Sequence, residues 1–475
     1  MSQQQAASYE TASKLTKFRA GGLRELWSLS LPLAISLFSA SFMLFADRLL
    51  LARFSTDALN ASVNATVYFW VLQLGTLSVA CIAEVFVGQY NGAGKPKQIG
   101  APVWQMIWFS LLSVLIFLPM GLWGSHWLFG GSRYEALTIE YFGILSFFGP
   151  TFPLVGALAA FYIGRGRVGL VVMTTILANV TNILLDVVLI FGVDGLIEPM
   201  GVRGAAIATG VGQTLQAVVL LFCVLTKHNR ETYNTGKISF RWPIFAQCMR
   251  IGTPNALSLT VEILAWAVLM QMITAVSEEM ITVASITQSL LLLFLFISEA
   301  IGKAVTAIAA NAIGAAQWNV VWRVLGSAVK LNIILSLFLV IPFVIYPEPL
   351  VDLFLPKHDV TPEFLESVKT VATRACIWVW IYCLVDGIKW AFFGLLTASG
   401  DTRFLMITGG TLIWLFAIAP IAVAVLFLGY HYDVAWAISV VAASLIAIVF
   451  YWRFRQEKWK ASLVAQNEAI DELTS

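Results

Sequence analysis

Few residues of this 475-residue chain can do chemistry, and most of those lie inside long apolar runs. Asn179, Asn182 and Asp186 follow one another at spacings of three and four in the run 169–191, which sets them on one stripe of a helix. Asp47 sits in the outer part of the run 29–51, and Thr209, in 204–226, can add a hydroxyl. Two carboxylates and two amides offer hard oxygen ligands suited to Na⁺, at Asp47, Asn182 and Asp186 above all. They equally offer a coupled acid pair suited to a proton. A second group is Glu262 in 251–275 with Tyr382 and Asp386 in 374–398, where the spacing of four stacks tyrosine over aspartate. Lys389 lies one turn from Asp386, and an ammonium there competes with a bound cation. The site is either a structural pair or one in which lysine takes part in coupling. Glu84 stands without an evident partner in its own helix, while Glu299 and Lys303, four apart, can satisfy each other.

An ionisable side chain in a spanning helix is costly unless paired or hydrated, so each of these is a functional candidate. The blander reading is a buried ion pair, which Arg48 offers to Asp47, or, for the two asparagines, a bond that glues helices together.

These groups need helices to position them. Hydrophobic residues make up 59% of the chain and charged ones 12%, far from the balance of a water-soluble domain. About 20 apolar residues cross a bilayer core, and twelve stretches qualify: 29–51, 66–88, 102–123, 137–163, 169–191, 204–226, 251–275, 281–311, 327–346, 374–398, 404–428 and 434–453. Of the 29 lysines and arginines, twenty fall on the side of this arrangement that holds both termini and six on the other. Three more, Arg48, Lys303 and Lys389, lie in or at the ends of spans. The excess predicts cytoplasmic termini in an inner, or plasma, membrane. All four histidines (His126, His228, His358, His431) fall in polar connections, and the five cysteines show no metal-ligand spacing and read as buried packing residues. The first 26 residues contain no apolar core of a cleavable signal. Asn91-Gly92-Ala93-Gly94-Lys95 imitates a phosphate loop, but Gln89 and Pro96 replace its first glycine and its hydroxyl residue. With no nucleotide site, whatever work the protein does must draw on an ion gradient or on nothing.

The chain repeats itself. Pro32 precedes Gly92 by 60 residues, and Pro254 precedes Gly314 by the same 60, so one offset of 222 aligns both landmarks. Arg165-Gly166-Arg167 faces Ser399-Gly400-Asp401 at an offset of 234, the difference being absorbed mostly by the connection 347–373. Six spans are an even number, so both halves face the same way. The expected architecture is an all-α polytopic membrane protein of twelve transmembrane helices in two six-helix bundles, related by a pseudo-two-fold axis along the membrane normal. Its parts are an N-terminal arm (1–28), an N-lobe (29–226), a cytoplasmic linker (227–250), a C-lobe (251–453) and a tail (454–475). Under this alignment Glu262 faces Ala40 and Asp47 faces Leu269, so the two polar sites sit at different depths.

Several stretches, in order and at their spacing, carry a resemblance to the multidrug and toxic compound extrusion (MATE) family. They are Phe45-Ala46-Asp47; Gly88 to Gly94; Asn182-Ile183-Leu184-Leu185-Asp186 with Ile190-Phe191-Gly192; Met200 to Ala206; Gly252-Thr253-Pro254 with Glu262; and Gly400-Asp401-Thr402-Arg403. The resemblance implies antiport by alternating access, with Na⁺ or H⁺ running inward while organic, often cationic, compounds leave. It places the coupling site of one branch on Asp47, Asn182, Asp186 and Thr209, and that of another on Glu262, Tyr382 and Asp386; Lys389 departs from the latter. The expected partners are a small-molecule substrate and membrane lipid, with no nucleic acid, in a monomer needing no cofactor beyond its coupling ion. Two rivals share parts of this reading. A flippase for lipid-linked saccharides needs several deep cations, and only Lys303 and Lys389 lie deep; an uncoupled channel or receptor does not account for the duplication. An enzyme has no nucleophile–base constellation here to work with.

Overall fold

The structure is a computed structural model that describes residues 15–274, 278–355, 362–428 and 432–460. Lys14, Lys357, His358, His431, the first fourteen residues of the arm and the tail from 461 lie outside the described residues.

Among the described residues, twelve helices are long and apolar enough to cross a membrane. They are α1 (Leu23–Phe54), α2 (Thr56–Gly92), α3 (Pro96–Phe129), α4 (Glu135–Ile163), α5 (Val168–Phe191), α6 (Val202–Val224), α7 (Trp242–Leu269), α8 (Ile281–Gly314), α9 (Trp318–Ile345), α10 (Pro362–Ala398), α11 (Thr402–Val425) and α12 (Asp433–Arg455). No strand occurs among the described residues; one isolated bridge joins Val193 and Ile197. Several helices outrun the apolar runs that announce them, because a helix continues through polar residues that hydropathy ignores. α2 starts ten residues before its apolar run, where the Ser55 hydroxyl accepts from the Asp57 and Ala58 amides at 3.2 and 3.4 Å. His126 lies inside α3 and His228 in a short helix, Lys227–Tyr233, instead of in irregular connections. The five cysteines are free; Cys248, Cys376 and Cys383 are buried, while Cys81 and Cys223 are only half-buried. Side chains such as Phe42 (64% exposed) and Leu115 (71%) point outward, as lipid-facing positions must.

The repeat is written in the backbone. After α2, the Gly94 amide donates to Asn91 O at 3.2 Å and the Lys95 amide to Tyr90 O at 2.9 Å; after α8, Ala316 donates to Ile313 O at 3.0 Å and Gln317 to Ala312 O at 2.8 Å. Every donor and acceptor is displaced by 222. At the offset of 234, Gly166 and Arg167 bond Ile163 O and Tyr162 O, and Gly400 and Asp401 bond Thr397 O and Leu396 O. All four ends are the same helix stop, in which a left-handed residue closes the last turn. The left-handed residue is Gly94 (φ 69°), Gly166 (70°) or Gly400 (80°), and in the remaining case Ala316 (53°). α3 and α9 share a further feature: each widens into an i→i+5 turn beside a proline, Met120–Gly124 after Pro119 and Ile341–Ile345 around Pro342, since proline has no amide to continue the ordinary ladder.

The described chain forms two compact units, one of Ile35–Ala256 and one of Thr16–Ala34 with residues 257–460. The units depart from the sequence halves at two points, Ala34/Ile35 and Ala256/Leu257, and these are 222 apart. Each departure has an anchor in the third helix of its unit. In the second unit, Arg323 donates to Ala20 O at 2.9 Å and Ser327 to Gly21 O at 2.7 Å, so α9 holds the segment that leads into α1. In the first, Gln105 donates to Ser239 O at 3.0 Å and accepts from the Arg241 amide at 2.9 Å, while Trp104 donates to Thr235 O at 2.7 Å. There α3 holds the segment that leads into α7. Gln105 and Ser327 are themselves 222 apart.

Candidate functional site

Within the first unit, three helices bring the N-terminal candidates together. The stripe on α5 is buried, with Asn179 4%, Asn182 1% and Asp186 0% exposed, and Asp47 on α1 is 3% exposed. The Thr209 hydroxyl on α6 donates to Asp47 Oδ2 at 3.5 Å. Asn182, with its amide oriented to suit its neighbours, donates to Asp47 Oδ1 at 3.0 Å and accepts from the Thr209 amide at 3.0 Å. Asp47 and Asp186 lie within hydrogen-bonding reach of each other. Carboxylates are acceptors only, so such a contact needs one proton or a cation between them. Asp186 Oδ1 is buried and accepts no hydrogen bond from the described residues. Arg48 acts on Asp47 through its field, while the donated hydrogen bonds come from Thr209 and Asn182. Asn179 stands apart from the carboxylates and donates to Ser39 at 2.8 Å.

The second unit assembles the other group differently. Lys389 Nζ lies 2.5 Å from Glu262 Oε1 on α7 and 2.8 Å from Asp386 Oδ1 on α10. Asp386 is 1% and Lys389 6% exposed. Tyr382 lies one turn before Asp386 on α10, and its ring stands edge-on to Trp266 and Trp436, with centroids at 5.5 and 5.8 Å. A small cavity beside Lys389 is lined by Trp266, Leu269, Tyr382, Ile413 and Ser439.

A family model, MatE, matches the chain twice, over residues 32–188 and 254–426. The chain belongs to the MatE family. The two matches begin at Pro32 and Pro254, the same pair of prolines that sets the offset of 222. Over 451 residues the chain is 23% identical to "Probable multidrug resistance protein NorM" of Thermotoga maritima, covering 91% of this chain and 92% of that one. A relative of the same description from Neisseria meningitidis is 22% identical over 339 residues, or 70% of this chain and 73% of its own. A solved structure described as MATE in the straight conformation superposes with a TM-score of 0.82 at 18% identity, covering 93% and 97% of the two chains. A two-lobed, all-helical MATE transporter is the result, a multi-pass membrane protein.

In this MatE chain the remaining charged candidates are dispersed. Glu84, 8% exposed, begins the inner segment of α2, Ala83–Gly92, within the first unit's core. Glu299 and Lys303 pair at 2.9 Å along α8 and stay partly exposed. Two contributors escape sequence reasoning. Tyr141 on α4, 4% exposed, lies where both Asp47 and Asp186 bear on its hydroxyl, with Thr66 on α2 beside it. A tyrosine in a span looks like an interfacial anchor, and a threonine there like a packing residue, so neither type nor spacing marks them.

Proposed function

We propose that this MATE transporter is a cation-coupled exporter of organic, often cationic, compounds, working by alternating access in the plasma membrane with both termini cytoplasmic. The observation that carries the reading is the convergence of Asp47, Asp186, Asn182 and Thr209 from three helices around one buried place that requires a proton or a cation. A carboxyl pair at hydrogen-bonding distance cannot ionise fully without help, because two like charges repel strongly away from water. It can hold one proton, or exchange that proton for Na⁺ ligated by the carboxylates and the Thr209 hydroxyl, with the Asn182 amide turning to present its oxygen. The ion acts on transport when it binds two conformations with different affinity, since equal affinity shifts no population. Asp186 belongs wholly to α5 and Asp47 to α1, so loading the site ties α1 to α5 and α6, and emptying it releases that tie. The description of the relatives as probable multidrug resistance proteins supports the cargo class.

The test is efflux of a fluorescent organic cation from proteoliposomes under separately imposed Na⁺ and pH gradients. One gradient drives wild-type export. Asp47→Asn and Asp186→Asn each reduce gradient-driven efflux at least a hundredfold while keeping the wild-type circular dichroism. Undiminished efflux from both folded variants refutes the reading.

A further inference from the structure

The two units treat their carboxyl pairs in opposite ways, and one lysine makes the difference. In the first unit Asp47 and Asp186 face each other with no ammonium bonded between them among the described residues. In the second, Glu262 and Asp386 come from α7 and α10, and the Lys389 ammonium stands between them at 2.5 and 2.8 Å. A Ca²⁺-sized ion bridging two carboxylates sits about 2.3–2.6 Å from each oxygen, which is the volume that Nζ already fills. The ammonium donates to Glu262 and forms a close ion pair with Asp386. Tyr382, one turn before Asp386 on α10 and 5% exposed, adds the hydroxyl that a hard cation takes as a further ligand. Packing holds the arrangement in place: Asp386 and Lys389 are 1% and 6% exposed, and Asn332 on α9 ties the same stretch of α10 by donating to Leu384 O at 2.7 Å. The cavity beside Lys389 is walled mostly by apolar and aromatic side chains and supplies no second carboxylate to which the ammonium can turn.

We infer that Lys389 is a tethered cation, occupying the bridging position of a carboxylate site and closing that site to metal ions from solution. Ion coupling is thereby confined to the first unit. The inference rests on the reading of Asp47 and Asp186 as the coupling pair. It goes beyond that reading in making Lys389 the residue that decides how many metal ions one molecule can hold. Arginine at 389 keeps a fixed cation there and preserves the closure. Methionine, of similar length but uncharged, leaves Glu262, Asp386 and Tyr382 as an oxygen cluster open to Na⁺.

The experiment is equilibrium binding of ²²Na⁺ to the purified full-length chain in an Asp47→Asn, Asp186→Asn background, which removes the first site. With Lys389, or with Lys389→Arg, no saturable binding is expected. Lys389→Met should gain about one Na⁺ per molecule, lost again on adding Glu262→Gln. A folded Lys389→Met protein that gains no Na⁺ overturns the inference, as does Glu262-dependent Na⁺ binding while Lys389 is present. Should Lys389→Met fail to fold, Lys389→Gln replaces it, and the Lys389-containing protein still decides through the presence or absence of Glu262-dependent binding. Failure of the coupling reading shows separately, as efflux that survives in the Asp47→Asn, Asp186→Asn protein whatever residue stands at 389.

Discussion

At the scale of single residues, the balance at the first site is between one proton and one metal ion. The Asp47–Asp186 contact needs a proton when no cation is present. For Na⁺ to enter, that proton must leave, so Na⁺ binding and proton release are linked, as for any metal whose ligands must deprotonate. The sign follows directly: lowering the pH supplies protons to the pair and weakens Na⁺. If Na⁺ is the coupling ion, its apparent affinity falls by up to tenfold per pH unit, about 1.4 kcal/mol, once the pair carries its shared proton. Binding of ²²Na⁺ from pH 8.5 to 6 measures it, and a flat profile contradicts the shared-proton arrangement. Lys389 removes that choice at the second site, since a tethered ammonium does not exchange with solution.

Individual helices carry their own consequences. Four helix ends use one stop geometry, and three of them place glycine at the left-handed position while the fourth places Ala316 (φ 53°). A side chain in that conformation costs about 1–2 kcal/mol, so Ala316→Gly should stabilise the protein, by about 1 kcal/mol after the loss of chain rigidity in the unfolded state is counted. Gly94→Ala should cost a similar amount, because a Cβ there meets nothing within 4 Å and only the backbone term remains. Thermal unfolding in detergent, followed by tryptophan fluorescence, should move up for the first variant and down for the second; the same direction for both would remove the argument. The helices also show where symmetry was given up. At the offset of 234, Asn179, Asn182 and Asp186 on α5 correspond to Ile413, Phe416 and Pro420 on α11. α11 is broken by wide turns at Leu405–Gly409, Trp414–Ile418 and Val423–Phe427, where α5 runs as one regular helix, Val168–Phe191. A regular helix keeps three polar groups on one stripe.

Across the whole molecule, each compact unit carries the entry segment of the other sequence half. Residues 16–34 stay with the second unit through Arg323 and Ser327, and the linker with the start of α7 stays with the first through Trp104 and Gln105. The anchors are independent, so their effects should be separable. Arg323→Ala with Ser327→Ala should raise hydrogen exchange at residues 16–22 about tenfold or more, taking a hydrogen bond at about 1 kcal/mol, and leave 235–241 unchanged. Gln105→Ala should do the reverse. Mass-spectrometric exchange reads both segments in one experiment, and loss of protection in both from either variant would show that the two anchors are coupled.

Much of this was open to sequence because a bilayer imposes simple rules. Apolar length counts the spans, and a buried charge in a span is too costly to be incidental. The offset of 222 between Pro32 and Pro254 makes the duplication visible in the sequence. Asp47, Asn182, Asp186 and Thr209 were nameable for the same reason, each being a polar group on an otherwise apolar helix. What sequence could not supply is which of those groups meet. Asn179 shares the stripe of Asn182 and Asp186 yet bonds Ser39, and Tyr141 joins the carboxylates from a helix with no polar pattern. Lys389 was ambiguous until its ammonium stood between carboxylates on two different helices. Spacing along one helix fixes direction around its axis, whereas the distance between atoms on separate helices depends on how those helices pack, and tertiary structure alone decides that.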